Sequence, residues 1–221
     1  MPREQYQREL DGLQDGLLEM GALVDRQIER SIQSLVERDA ARAETVVRDD
    51  EEVNRTRFHL DNVALSLLAQ QAPMATDLRV IISSLSIIMD LERMGDHAKG
   101  ISSIVLMMGD EPLVKPLVDI PEMATHARQM MNGALDAFVT RDVEAAYAVG
   151  RADDRVDELQ DAVYADLVAI MIRDPATVEP CTHLLWVSHN LERIADRATN
   201  IAERAVFTVT GMLSEMDVSS Y

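Results

Sequence analysis

At 221 residues the chain is long enough for one large domain or two of about 100 residues each, and 47% apolar residues supply a core, so disorder is excluded as its main state. Its 21 Lys and Arg face 39 Asp and Glu, a formal net charge of −18 that repels phosphate backbones, argues against nucleic-acid binding, and attracts cations and basic partner surfaces. The one cysteine, Cys181, excludes an internal disulfide, and the longest charge-free stretch, Asn62 to Thr76, is too short for the ~20 apolar residues of a membrane span. The opening MPREQYQREL lacks the apolar stretch of a signal peptide. A cytoplasmic, reducing location is expected, with membrane association only through partners.

With only 9 Gly and 7 Pro, breaks in the chain are few and informative. Segments rich in Ala, Leu, Glu, Arg and Met predict helices at residues 4–37, 40–70 and 75–108, with Asp39 capping the second by accepting its free amide protons. GDEPLVKPLVDIPE then reads as the one linker. Helices follow at 122–140, 143–173 (capped by Asp142) and 177–211. No segment alternates with the period of two that strands require. The expectation is an all-α fold of two tandem three-helix bundles, 1–109 and 122–221, joined by a linker at 110–121.

The two bundles form an internal repeat. DLERMGDHAKGI at 90–101 matches NLERIADRATNI at 190–201 at an offset of 100, and RDAARAETVVRDDEEVNRT from Arg38 matches RDVEAAYAVGRADDRVDEL from Arg141 at an offset of 103. In the last helix Glu192, Asp196, Asn200 and Glu203 share one face, opposite a core stripe of Leu184, Val187, Leu191, Ile194, Ala198, Ala202 and Ala205. In the preceding helix Asp153, Asp157 and Asp161 form a similar ridge. Carboxylates four residues apart repel, so two such ridges on neighbouring helices suit a cation bridged by oxygen ligands, such as Mg, Mn, Fe or Zn. A solvated acidic face is the bland alternative in so acidic a chain.

Other groups receive ordinary readings. No ExxH pair marks a di-iron bundle, and neither a glycine-rich phosphate loop nor a Ser-His-Asp pattern occurs. Met107, Met108, Met130 and Met131 fall where apolar residues are due, and Trp186 is expected to be packed. A carboxylate-bridged metal enzyme, hydrolase or oxidase, would need open coordination positions and a base inside a pocket, which exposed ridges lack. A purely structural helical adaptor is the third possibility.

QQAPMATDLRVI at 70–81, LERMGD at 91–96 and LERIADRATNI at 191–201 resemble the PhoU family of bacterial phosphate-signalling proteins, and the resemblance covers nearly the whole chain. It implies two tandem three-helix bundles with multinuclear metal sites built from E/DxxxD motifs on the bundle surface. By position, the implied ligands are Asp50, Asn54, Glu92 and Asp96 in the first half, and Asp153, Asp157, Glu192 and Asp196 in the second. Asn54 and Gly100 depart from the fuller pattern at Asp157 and Asn200. The resemblance further implies a non-enzymatic negative regulator that links the ATPase subunit of the phosphate ABC transporter to a membrane sensor histidine kinase. A homodimer is expected.

Overall fold

The computed structural model describes residues 3–70, 74–109, 111–213 and 215–216. Six α-helices carry the fold: α1 Arg3–Glu37, α2 Ala40–Gln70, α3 Ala75–Met108, α4 Asp119–Thr140, α5 Val143–Arg173 and α6 Val178–Thr210, with a 3-10 turn at Pro175–Thr177 before α6. Each half is a three-helix bundle, α1 to α3 and α4 to α6. The segment 71–73 and Asp110, part of the expected motif and linker, lie outside the described residues.

The joints between first and second helices repeat in detail. Arg38 and Arg141 both adopt the left-handed conformation, with φ of 55° and 58°. The following amides bond back to Ser34 O at 2.9 Å and Ala137 O at 3.0 Å, satisfying carbonyls that the helix end leaves orphaned. Asp39 and Asp142 then cap the next helix by accepting from the amides of Arg42 at 2.9 Å and Ala145 at 3.0 Å. One joint thus turns the chain twice. Helix α4 begins three residues earlier than expected, because Pro121 sits inside its first turn, where the missing N–H costs nothing.

Apolar faces from both halves meet in one contiguous buried cluster that includes Leu17, Leu35, Ile88 and Leu91 from the first half and Phe138, Leu167, Leu184 and Leu191 from the second. Met108, Met130 and Met131 join it, whereas Met107 and Trp186 are corrections to the expected packing, 64% and 54% exposed.

The halves face each other through α1 against α4 and α3 against α6, about a pseudo-twofold axis. Asp25 and Arg128, equivalent positions 103 residues apart, form a two-pronged ion pair at 2.9 and 2.7 Å. The flanking contacts, Asn132 to Asp25 at 3.1 Å and Arg128 to Glu29 at 3.3 Å, are one interaction seen from either half. On α3 and α6 the same relation holds between Asp90–Arg197 at 3.5 Å and His97–Asn190 at 2.9 Å. Among the described residues, no helix is long and apolar enough to cross a membrane.

Candidate metal centre

The acidic ridges lie along two seams, α2 with α3 and α5 with α6. Because their positions flank the core stripe, three carboxylates expected on an exposed ridge are buried instead: Asp50 at 3%, Asp153 at 6% and Glu192 at 4% exposure. Charges removed from water to this degree need partners.

In the first half those partners are basic side chains. Lys99 Nζ lies 2.9 Å from Asp50 Oδ2, which also accepts from Asn54 Nδ2 at 3.1 Å. The hydrogen bond to Asp50 holds the Lys99 ammonium above its ordinary pKa, with the charges of Asp50 and Asp96 acting in the same direction. Arg57 crosses from α2 to Glu92 on α3 at 2.5 Å. All four expected ligands of this half therefore lie at or in the field of Lys99 and Arg57.

In the second half one guanidinium gathers the α6 pair. Arg193 takes Glu192 through Nε at 2.7 Å and Nη2 at 2.5 Å, and reaches Asp196 through Nη1 at 3.0 Å. His189 Nδ1 stands 3.5 Å from Glu192. Burial pushes the Asp196 carboxyl above the usual range, and the neighbouring Glu192 charge adds to the rise. Asp153 and Asp157 on α5 are engaged as well. The face drawn from sequence divides at its end: Asn200 turns to Asp90 on α3, and Glu203 accepts the Met216 amide at 2.8 Å.

Among the described residues no three His, Cys, Asp or Glu side chains converge in a geometry ready to hold a metal. The donor chemistry of the two halves nonetheless differs. Asp153, Asp157, Glu192 and Asp196 are four carboxylates, and the Arg193 side chain that pairs with two of them is 33% exposed. That set fits a hard or borderline divalent cation. In the first half Lys99 and Arg57 pair with two of the three carboxylates, Asp50 and Glu92. Sequence reasoning missed these three basic residues, although Lys99 and Arg57 stand opposite neutral Thr199 and Gln160 in the repeat.

A family model described as the PhoU domain matches the chain twice, over residues 17–105 and 120–205. A phosphate-specific transport system accessory protein PhoU homolog of Caulobacter vibrioides is 37% identical over 207 residues, covering 93% of this chain and 90% of that protein. One from Clostridium acetobutylicum is 34% identical over 212 residues, covering 96% and 97%. The crystal structure of PhoU from Pseudomonas aeruginosa superposes with a TM-score of 0.89 at 31% identity, covering 94% of this chain and 100% of that one. The phosphate transport system regulatory protein PhoU from Streptococcus pneumoniae gives 0.88 at 29%, covering 95% and 99%.

Proposed function

We propose, from the premise that this chain belongs to the PhoU family, that it regulates phosphate uptake and the phosphate-starvation response as a cytoplasmic helical adaptor. It restrains the response when phosphate is plentiful by joining the ATPase subunit of the phosphate ABC transporter to a sensor histidine kinase, and it works as a homodimer. The observation that carries this reading is the double PhoU-domain match, one copy in each half, alongside relatives named as accessory proteins of the phosphate-specific transport system.

Physical features of the chain support an adaptor. Ion pairs on both inter-half contacts tie the bundles together, so a load at one end reaches the other, and a net charge of −18 steers the surface toward basic partner faces. Asp153, Asp157, Glu192 and Asp196 would hold a divalent or trivalent ion such as Fe, Zn, Mn or Mg. Such an ion would supply fixed positive charge to the acidic seam of α5 and α6. No catalytic step is required of it. The metal-enzyme alternative is disfavoured by Lys99 and Arg57, which already bind carboxylates that a bridged metal pair would need.

The test is association of the purified chain with the transporter's ATPase subunit and with the cytoplasmic part of the kinase from the same organism. Binding to both that weakens with salt is expected. Metal-dependent hydrolysis of phosphate esters or nucleotides by the purified chain, without partner binding, would favour the enzyme.

A further inference from the structure

We infer that the outer face of α5, together with the start of α6, is the docking surface for a partner's amphipathic helix that carries basic residues at one end and bulky apolar residues at the other. The inference rests on the adaptor reading only for which partner supplies the helix, and the experiment separates the two questions.

One exposed stripe of α5 changes character along its length. Asp154, Glu158 and Asp161 follow one another at helical spacing, and Ala165 and Ile172 continue the same face toward the helix end. All five are exposed, Ile172 at 77%, and Tyr164 beside them is 60% exposed. The turn at Pro175–Thr177 brings α6 back along α5, so Val178 and Trp186, 47% and 54% exposed, extend the apolar end onto α6. At 1.5 Å per residue Tyr164 and Trp186 both lie about 12–14 Å from that turn, level with each other on neighbouring helices. His183 packs edge-on against the indole, with ring centroids 6.5 Å apart, and leaves it half in water.

Covering these large apolar side chains releases the water they hold, and Tyr and Trp are the side chains that most often carry interface energy. The carboxylates next to them fix the sign of the partner. From 153 to 161 α5 carries five carboxylates against Arg155 alone, whereas the equivalent 50–58 of α2 carries three against Arg55 and Arg57. Glu158 pairs with Arg155 at 2.9 Å, but both are well exposed, so a partner's Lys or Arg replaces that contact at little cost. Asp154, Glu158 and Asp161 lie outside the proposed ligand set, so a metal held there would not neutralise this row. The combination is not repeated in the first half. Asp61 and Ser86 stand at the positions of Tyr164 and Trp186, Arg55 stands at that of Glu158, and the ring of Phe58 lies under the Arg57 guanidinium at 5.4 Å. From Asp154 to Ile172 the stripe runs about 27 Å, which matches a helix of about 18 residues.

The experiment uses the full chain, whose one tryptophan is Trp186, and as probe a synthetic helical peptide of about 18 residues, lysine-rich at one end, leucine-rich at the other and without tryptophan. Binding should shift Trp186 emission to the blue, and calorimetric titration gives Kd. Asp154→Lys with Asp161→Lys should weaken binding at least about tenfold. Tyr164→Asp, which copies the first half's residue, should weaken it by about the same factor although it adds negative charge, whereas attraction by charge alone would strengthen it. Trp186→Ser, read by calorimetry, should act like Tyr164→Asp, and Phe58→Ser in the first half should change nothing. Circular dichroism confirms that each variant is helical. Equal affinity in parent and variants, or equally tight binding of an all-lysine peptide, overturns the inference. The transporter's ATPase subunit and the cytoplasmic part of the kinase are then titrated against the same variants, and one of the two should lose affinity with those that fail to bind the peptide. Partner binding that those variants leave unchanged also overturns it. If neither partner binds the parent, the adaptor reading fails instead, and the peptide still decides whether this surface takes a basic amphipathic helix.

Discussion

Exchanging the charges of Asp25 and Arg128 tests how the halves are held in register. Their two-pronged contact, at 2.9 and 2.7 Å, joins equivalent positions across the pseudo-twofold axis, and the side chains are only 20% and 27% exposed. Arg128→Asp would set a new carboxylate against Asp25 and beside Glu29; Asp25→Arg would set two guanidinium groups together. Opposite charges about 4 Å apart gain about 4 kcal/mol at an effective dielectric constant of about 20, and desolvation takes back much of that. Partial exposure lowers the net further, so each single substitution should cost about 1–3 kcal/mol. For a chain of this length that is a fall in Tm of roughly 3–10 °C. The double exchange restores opposite charges and should recover most of the loss, a coupling of at least about 1 kcal/mol in a double-mutant cycle read by chemical denaturation. A double variant as unstable as the sum of its singles would refute the pairing. The same opposition also selects partners: a second copy of the first half would bring Asp25 against Asp25, which favours pairing within the chain over exchange of halves.

Asp39→Ala and Asp142→Ala should each cost about 1 kcal/mol by removing the amide caps, visible as lower denaturation midpoints with unchanged m-values. His97 is held below its ordinary pKa by burial, with Arg197 and His189 adding to the effect, so the unfolded chain takes up this proton at a higher pH than the folded one. Its contribution is therefore full above about pH 6.5 and declines as pH falls below that. His97→Gln should flatten stability between pH 5 and 7 in urea titrations, at conditions of about 25 °C, and an unchanged pH slope would contradict this. For Asp25, burial alone would raise the carboxyl pKa, but the hydrogen bond and charge of Arg128 bring it below the usual range. The stability it supplies is present above about pH 4 and is lost as pH falls through the lower folded value, so Asp25→Asn should blunt acid unfolding.

Helix boundaries were legible because glycine and proline are scarce and because Asp39 and Asp142 mark starts by a chemistry that depends only on neighbours in sequence. Pro121 misled by three residues, since it reads as a break yet is tolerated in a first turn. The carboxylate ridges were legible as angular positions, but periodicity does not say how close a face lies to a seam, so the burial of Asp50, Asp153 and Glu192 was not. The cations on them depend on side chains reaching between helices, as Arg57 does to Glu92. Comparing Lys99 with Thr199 and Arg57 with Gln160 would have raised the question. The contacts of α1 with α4 had no comparable signal, because opposite charges at Asp25 and Arg128 acquire meaning only once the two faces meet.

The most direct test of the regulatory account is expression of phosphate-starvation genes in cells lacking this chain, grown with ample phosphate and compared with the same cells carrying it on a plasmid. The account predicts high expression without the chain and restraint when it is restored. Starvation genes that stay silent in its absence would contradict it.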